Sequence, residues 1–136
     1  MSVRVALVAP DGEIWSGIAR MVIAKTLDGD IGILTGHPPV VGVLADASVV
    51  RILDVEDGEA AEPRELRAAV SGGFLSVAED RVSILVRQAE LGSEIEISAA
   101  RARLEAAISE AGPSGEAESL EVRYSRAVLR AAGDQS

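Results

Sequence analysis

The sequence predicts a mainly β protein with α structure at its end: an N-terminal antiparallel β-sandwich over residues 1–90, then a C-terminal antiparallel two-helix hairpin over residues 91–136. Three observations carry that prediction. Short runs of alternating apolar and polar residues recur from Val3 to Val86, separated every few residues by Gly, Pro and Asp turn signals. Near Leu91-Gly92-Ser93 the character changes to Ala, Arg and Glu, with apolar residues at helical spacing. Hydrophobic residues make up 48% of the chain but aromatics only 2%, so aliphatic side chains must fill the core.

Val3, Val5 and Leu7 alternate with Ser2, Arg4 and Ala6 as a half-buried strand that ends at Pro10-Asp11-Gly12. Glu13 to Gly17 reads as a short strand or bulge, and its Trp15 as cover for a sheet edge or a partner surface. Ala19 to Thr26 is a β-prone run that stops at the Asp28-Gly29 turn. Ile31 and Ile33 then alternate around Gly32, whose missing side chain leaves one face open to close approach. After Gly36, Pro38 and Pro39 hold His37 and Pro38 extended and remove two backbone donors. A stiff, exposed loop bearing the only histidine of the chain is expected there. Val40 to Leu44 and Ser48 to Leu53 supply further strands, and the acidic stretch Asp54 to Glu65 reads as a long loop. Leu66 to Ser71 leads into a Gly72-Gly73 turn, and a final hairpin joins Phe74–Val77 to Val82–Val86 across Glu79-Asp80-Arg81.

The first helix reads from an N-cap at Ser98, with Ala100, Leu104, Ala107, Ile108 and Ala111 on one face, to Gly112-Pro113-Ser114-Gly115. The second carries Leu120, Tyr124, Ala127, Val128 and Ala131 on one face before Gly133. Only five of these side chains are large, so the hairpin is marginal by itself and depends on what it docks against. Arg123, Arg126 and Arg130, three and four residues apart, form one stripe of the second helix. Two readings stand open: a solvated stripe paired with Glu105 or Glu110, or a site for a nucleotide phosphate or an acidic partner.

Several chemistries have no support. A net charge of −9 argues against a binder of nucleic-acid phosphates. With no cysteine and one histidine, neither a thiolate metal site nor a Ser-His-Asp arrangement is selected, and the acidic loop lacks EF-hand spacing. Walker A and dinucleotide fingerprints are missing, and no required cofactor is expected. No apolar run approaches the roughly 20 residues that span a bilayer. The first nine residues lack the segments of a signal peptide. The expectation is a cytosolic protein that is not an enzyme acting alone.

Four segments together resemble the epsilon subunit of F-type ATP synthases along nearly the whole chain. Asp28-Gly29-Asp30-Ile31-Gly32-Ile33-Leu34-Thr35-Gly36-His37-Pro38-Pro39 is similar to its Gly-Glu-Ile-Gly-Ile-Leu-Pro-Gly-His-Ala-Pro signature, with Asp30, Thr35 and Pro38 as departures. Ile14-Trp15-Ser16-Gly17, Val70-Ser71-Gly72-Gly73-Phe74-Leu75-Ser76-Val77, and Val82-Ser83-Ile84-Leu85 with Ala89-Glu90 follow in the family's order. The resemblance implies a non-catalytic central-stalk subunit, peripheral on the cytoplasmic face of the cell membrane. Its partners would be the gamma subunit, the c-ring and the alpha/beta catalytic head. Asp30, Gly32, His37, Pro38 and Pro39 would then form the contact edge for the ring and gamma, and the hairpin would regulate ATP hydrolysis. Some family members bind ATP at Ile-Asp-x-x-Arg-Ala plus arginines of the second helix. Aligning on Ser93-Glu94-Ile95-Glu96 puts Glu96 at the Asp position and Ala99 at the Arg position. Aligning on Ile97 to Ala102 keeps Arg101 but substitutes Ser98 for Asp. Arg101, Arg126 and Arg130 stay candidates for ATP as a regulatory ligand, and with Arg123 for an acidic partner. The alternative is a stand-alone β-sandwich that binds a ligand, which would need an apolar pocket; a hydrolase would need paired carboxylates in a cleft.

Overall fold

The alternation at the start of the chain folds as β1 (Val3–Ala9), with Val3, Val5 and Leu7 turned into the core. The computed structural model describes residues 1–56, 64–111 and 119–133. It continues through β2 (Gly12–Ala19), β3 (Met21–Thr26), β4 (Gly29–Ile33), β5 (Val40–Val43), β6 (Ser48–Val55), β7 (Arg64–Ser71), β8 (Phe74–Ala78), β9 (Arg81–Leu85) and β10 (Gln88–Leu91). A 3-10 turn, Gly92–Glu94, leads to helices α1 (Ile97–Ala111) and α2 (Leu120–Ala131).

The strands form two five-stranded sheets, β2-β1-β9-β8-β5 and β10-β7-β6-β3-β4, packed face to face. All pairings are antiparallel except β1 with β9, which is parallel. Isolated bridges between Ile18 and Glu56 and between Thr26 and Leu44 tie the sheets together. The core between them is aliphatic, as the composition requires: Leu7, Ile33, Leu44, Ile52, Leu75 and Ile84 are its largest fully buried members. A bulge at Ile14 offsets β2 against β1, and Trp15 on this edge strand packs half-buried against the core. Its ring lies where a Cβ on Gly17 would sit, which accounts for the glycine.

The helical hairpin forms a third layer on the outer face of the second sheet. Ala69, Ala100, Tyr124, Ala127, Val128, Leu129 and Ala131 make a small core there, with Val49 and Leu104 at its margin. β7 is therefore covered on both faces: Leu66, Ala68 and Val70 enter the sandwich, while Ala69 meets the helices.

Several local expectations are corrected. The strand β10 adds to the expected set; Gln88 to Leu91 has no clear alternation, and pairing with β7 supplies its order. The turn between β8 and β9 is two residues, Glu79-Asp80, both with positive φ (51° and 61°), and Arg81 already belongs to β9. That is the type I′ geometry that matches the twist of a hairpin. The acidic stretch is not all loop: β6 runs to Val55 and β7 starts at Arg64, while residues 57–63 lie outside the described residues. Glu96, not Ser98, caps α1. Its carbonyl accepts from Ala100 N at 3.0 Å, and its carboxylate from Ala99 N at 2.7 Å and Ser98 Oγ at 2.7 Å. Ile108 of α1 and Leu120 of α2, expected on buried stripes, are 41% and 40% exposed; α2 buries Tyr124, Ala127, Val128 and Ala131 as expected and Val122, Ser125 and Leu129 as well. The expected stop at Gly112-Pro113-Ser114-Gly115 lies outside the described residues. α2 begins at a Ser119 cap and ends before Gly133, whose φ of 94° suits glycine.

Candidate functional site

The residues singled out from the sequence fall into three places. Asp30 and Gly32 point outward from the edge strand β4 on the helical side of the sandwich. The opening expected at Gly32 is filled by the Met21 methyl, 2.7 Å from where a Cβ would stand. His37, Pro38 and Pro39 lie beyond the other end of β4, whose last residue, Ile33, is about 10 Å along the strand from Asp30. The two parts of the presumed contact edge are thus separated.

The loop after β4 is held by its own hydrogen bonds. His37 N donates to Leu34 O at 3.1 Å, and Gly36 takes φ 85° at the third position of that turn. Gly36 N donates to Asp80 Oδ1 at 2.7 Å, and Thr35 Oγ1 to Ser2 O at 3.1 Å. His37 Nδ1 lies 2.7 Å from Pro38 O. The loop is anchored to the β8–β9 turn and to the start of β1, while Pro38 and Pro39 are exposed.

Nearby strands present an exposed apolar patch. Val41 and Val43 of β5, Phe74 of β8 and Leu85 of β9 are side by side on the outer face of the first sheet, since Val43 registers with Phe74 and Phe74 with Leu85. Val41 is 71% and Phe74 54% exposed. No element covers this face among the described residues, whereas the opposite sheet carries the hairpin.

The arginine stripe is solvent-facing as expected: Arg123, Arg126 and Arg130 are all exposed. Arg123 and Arg130 line a cleft of about 670 Å³ between α2 and the second sheet, together with Lys25, Arg51, Asp30 and Asp46. Arg101, on α1, is exposed and lies outside that lining. Arg51 is tied to Glu65 at 2.9 Å, and Arg67 also bonds this carboxylate. The hydrogen bond from Arg51, helped by Arg67 and both charges against the cost of burial, holds the Glu65 carboxyl down to about 2.

One polar cluster was not legible beforehand. Glu90 at the end of the sandwich accepts from Tyr124 Oη at 2.8 Å and from Arg103 Nη1 at 2.8 Å. It therefore joins β10, α2 and α1. Burial pushes the Glu90 carboxyl up, but the bonds from Arg103 and Tyr124 and the Arg103 charge outweigh it and hold it below the usual carboxylate range. Burial, with the bond to Glu90, pushes the Tyr124 phenol up. The signal in the sequence was an isolated Tyr on an otherwise alanine-rich face; its partner 34 residues away was not.

Comparison with known proteins gives this architecture its place. Residues 2–92 match the family described as ATP synthase, Delta/Epsilon chain, beta-sandwich domain. The chain is 52% identical over 130 residues to the ATP synthase epsilon chain of Thermobifida fusca, covering 94% of this chain and 90% of that one. It is 43% identical over 127 residues to that of Rhodococcus jostii, covering 93% and 96%. The chain therefore belongs to the family of F-type ATP synthase epsilon subunits, non-catalytic components of the central stalk. The fold is shared with a chain of the Euglena gracilis mitochondrial ATP synthase at TM-score 0.69 and 22% identity, over 97% of this chain and 79% of that one. A chain of the Tetrahymena thermophila mitochondrial ATP synthase central stalk and c-ring gives TM-score 0.56 at 16% identity, over 96% of each. Among the described residues no helix is long and apolar enough to cross a membrane.

Proposed function

We propose that this chain couples rotation in the ATP synthase by docking the gamma subunit on the outer face of its first sheet and contacting the c-ring with one end of the sandwich, on the cytoplasmic face of the membrane. The carrying observation is the bare patch of Val41, Val43, Phe74 and Leu85, since contiguous exposed apolar surface marks a partner site. The separation of Asp30 from His37, Pro38 and Pro39 argues for two contacts. The turn next to Asp30, with Leu27 72% exposed, faces the ring, and the anchored proline loop borders the gamma surface.

In this reading residues 1–90 form the coupling domain and residues 91–136 the regulatory one. The hairpin rests on the sandwich through a small, alanine-rich core and one polar latch, an arrangement suited to release. Released, its stripe of Arg123, Arg126 and Arg130 would meet acidic segments of the catalytic head and inhibit hydrolysis. An acidic partner fits better than ATP, because Asp30 and Asp46 share the cleft of Arg123 and Arg130, and Arg101 lies outside it.

The test is ATP hydrolysis by an epsilon-depleted synthase head titrated with the full chain, with a chain ending at Gly92, and with Val43→Ser/Phe74→Ser. Saturable inhibition by the full chain alone supports the regulatory role. Binding by the truncated chain and its loss in the double variant support the docking face. Binding by neither full nor truncated chain would overturn the proposal.

A further inference from the structure

At the other end of the outer face of the first sheet, two arginines stand next to one another. Arg4 of β1 and Arg81 of β9 are register partners in the parallel pair, on strands about 4.8 Å apart. Both are exposed, and neither guanidinium has an ion-pair partner among the described residues. The nearest acid of the adjoining turn, Asp80, spends a carboxylate oxygen on Gly36 N. Like charges directly opposite on a sheet destabilise it, and here they do so in a chain of net charge −9 with acids to spare. In the next row, Ala6 registers with Ser16 on one side and Ser83 on the other, so two hydroxyls flank a small side chain. These residues line a shallow cleft of about 320 Å³ that contains no carboxylate side chain.

We infer that Arg4 and Arg81, with the hydroxyls of Ser16 and Ser83, form a binding site for a phosphate group. Each guanidinium offers a fork of parallel N–H donors and each serine one O–H. That set exceeds what the two oxygens of a carboxylate can accept and suits the tetrahedral oxygens of a phosphate. Bound there, the anion would cancel the repulsion between the arginines. The site shares the outer face of the first sheet with the apolar patch, Ser83 standing two residues from Leu85 on β9, and it is tested on the chain without partners. The phosphate is either free or the headgroup of an anionic lipid.

The full chain is titrated with sodium phosphate against sodium chloride at matched ionic strength, following the side-chain Nε–Hε resonances of Arg4 and Arg81 and the thermal midpoint. Arg4→Gln and Arg81→Gln are measured in parallel. A saturable shift is expected with phosphate only, weakened about tenfold in each variant. Without phosphate each variant should be at least as stable as the parent, because the repulsion is gone. Phosphate should raise the midpoint of the parent more than that of either variant. Sedimentation with phosphatidylcholine vesicles, with and without phosphatidylglycerol, identifies the source. Binding to the anionic vesicles that both variants lose assigns a headgroup. A phosphate response without vesicle binding assigns free phosphate. No response to either, or a phosphate response undiminished in both variants, overturns the site and leaves the pair to a carboxylate of a partner chain.

Discussion

Glu90 shows how one side chain decides whether three elements stay together. Its two oxygens take bonds from Arg103 and from Tyr124, whose ring is buried in the hairpin core. Tyr124→Phe keeps the ring and removes one hydrogen bond to a charged acceptor that retains Arg103. The expected loss is about 1 kcal/mol in chemical denaturation, with larger loss of amide protection in the helices than in the strands. Acid tests the same cluster. The folded carboxyl titrates below its unfolded value, so its stabilisation is full above that value, about 4.3, and disappears as pH falls through the depressed one. Hydrogen exchange in α1 and α2 should accelerate relative to the sandwich as pH drops below about 4. Glu65 also loses stabilisation, from the unfolded value down to about 2, but that loss falls on β6 and β7, so the strands to compare are those of the first sheet. Equal acceleration in helices and strands would place the acid response elsewhere.

The fit between elements depends on one close approach. A Cβ on Gly92 would lie 2.1 Å from the Ala131 carbonyl oxygen and 3.3 Å from Arg67 O, so the 3-10 turn passes directly under the end of α2. Backbone atoms cannot rotate away as a side chain does. Gly92→Ala should therefore lift the end of α2 at a cost of about 1–3 kcal/mol, with the strands unaffected. Near-parental protection in α2 would show that the turn can shift instead. Elsewhere the elements follow local rules closely. The period of two in Val3-Arg4-Val5-Ala6-Leu7 defines β1, and the Asp28-Gly29 signal closes the β3–β4 hairpin through Leu27 and Asp28. Where local pattern was weak, as in Gln88 to Leu91, the strand exists because β7 offers an open edge. The cap of α1 is not legible in the sequence for a related reason: glutamate is not a preferred N-cap type, and the Glu96 carboxylate reaches forward to Ala99 N and Ser98 Oγ just after the 3-10 turn.

At the scale of the molecule there are two cores of unequal size. The sandwich core includes Leu91, so a chain ending at Gly92 keeps all of it and loses the cover over Ala47, Val49 and Ala69 and the bonds of Arg103 and Tyr124 to Glu90. That chain should unfold cooperatively. Exposing so little apolar surface costs about 1 kcal/mol, a fall in midpoint of about 4–8 °C for a domain of this size. A broad, non-cooperative transition would mean that the hairpin supports the sandwich more than its core suggests. The sequence by itself determined the strand–turn order, the aliphatic character of the core, the change to helix after Leu91 and the exposed arginine stripe. These depend on residues close in the chain or on bulk composition. Only the tertiary structure decided that β1 lies parallel to β9 and that the hairpin docks on β7 and β6. It also decided that Glu90 meets Arg103 and Tyr124, that Asp30 stands apart from His37, and that Arg4 faces Arg81. Such pairings join residues far apart in the chain, and nothing in local periodicity encodes which distant surface will be buried against which.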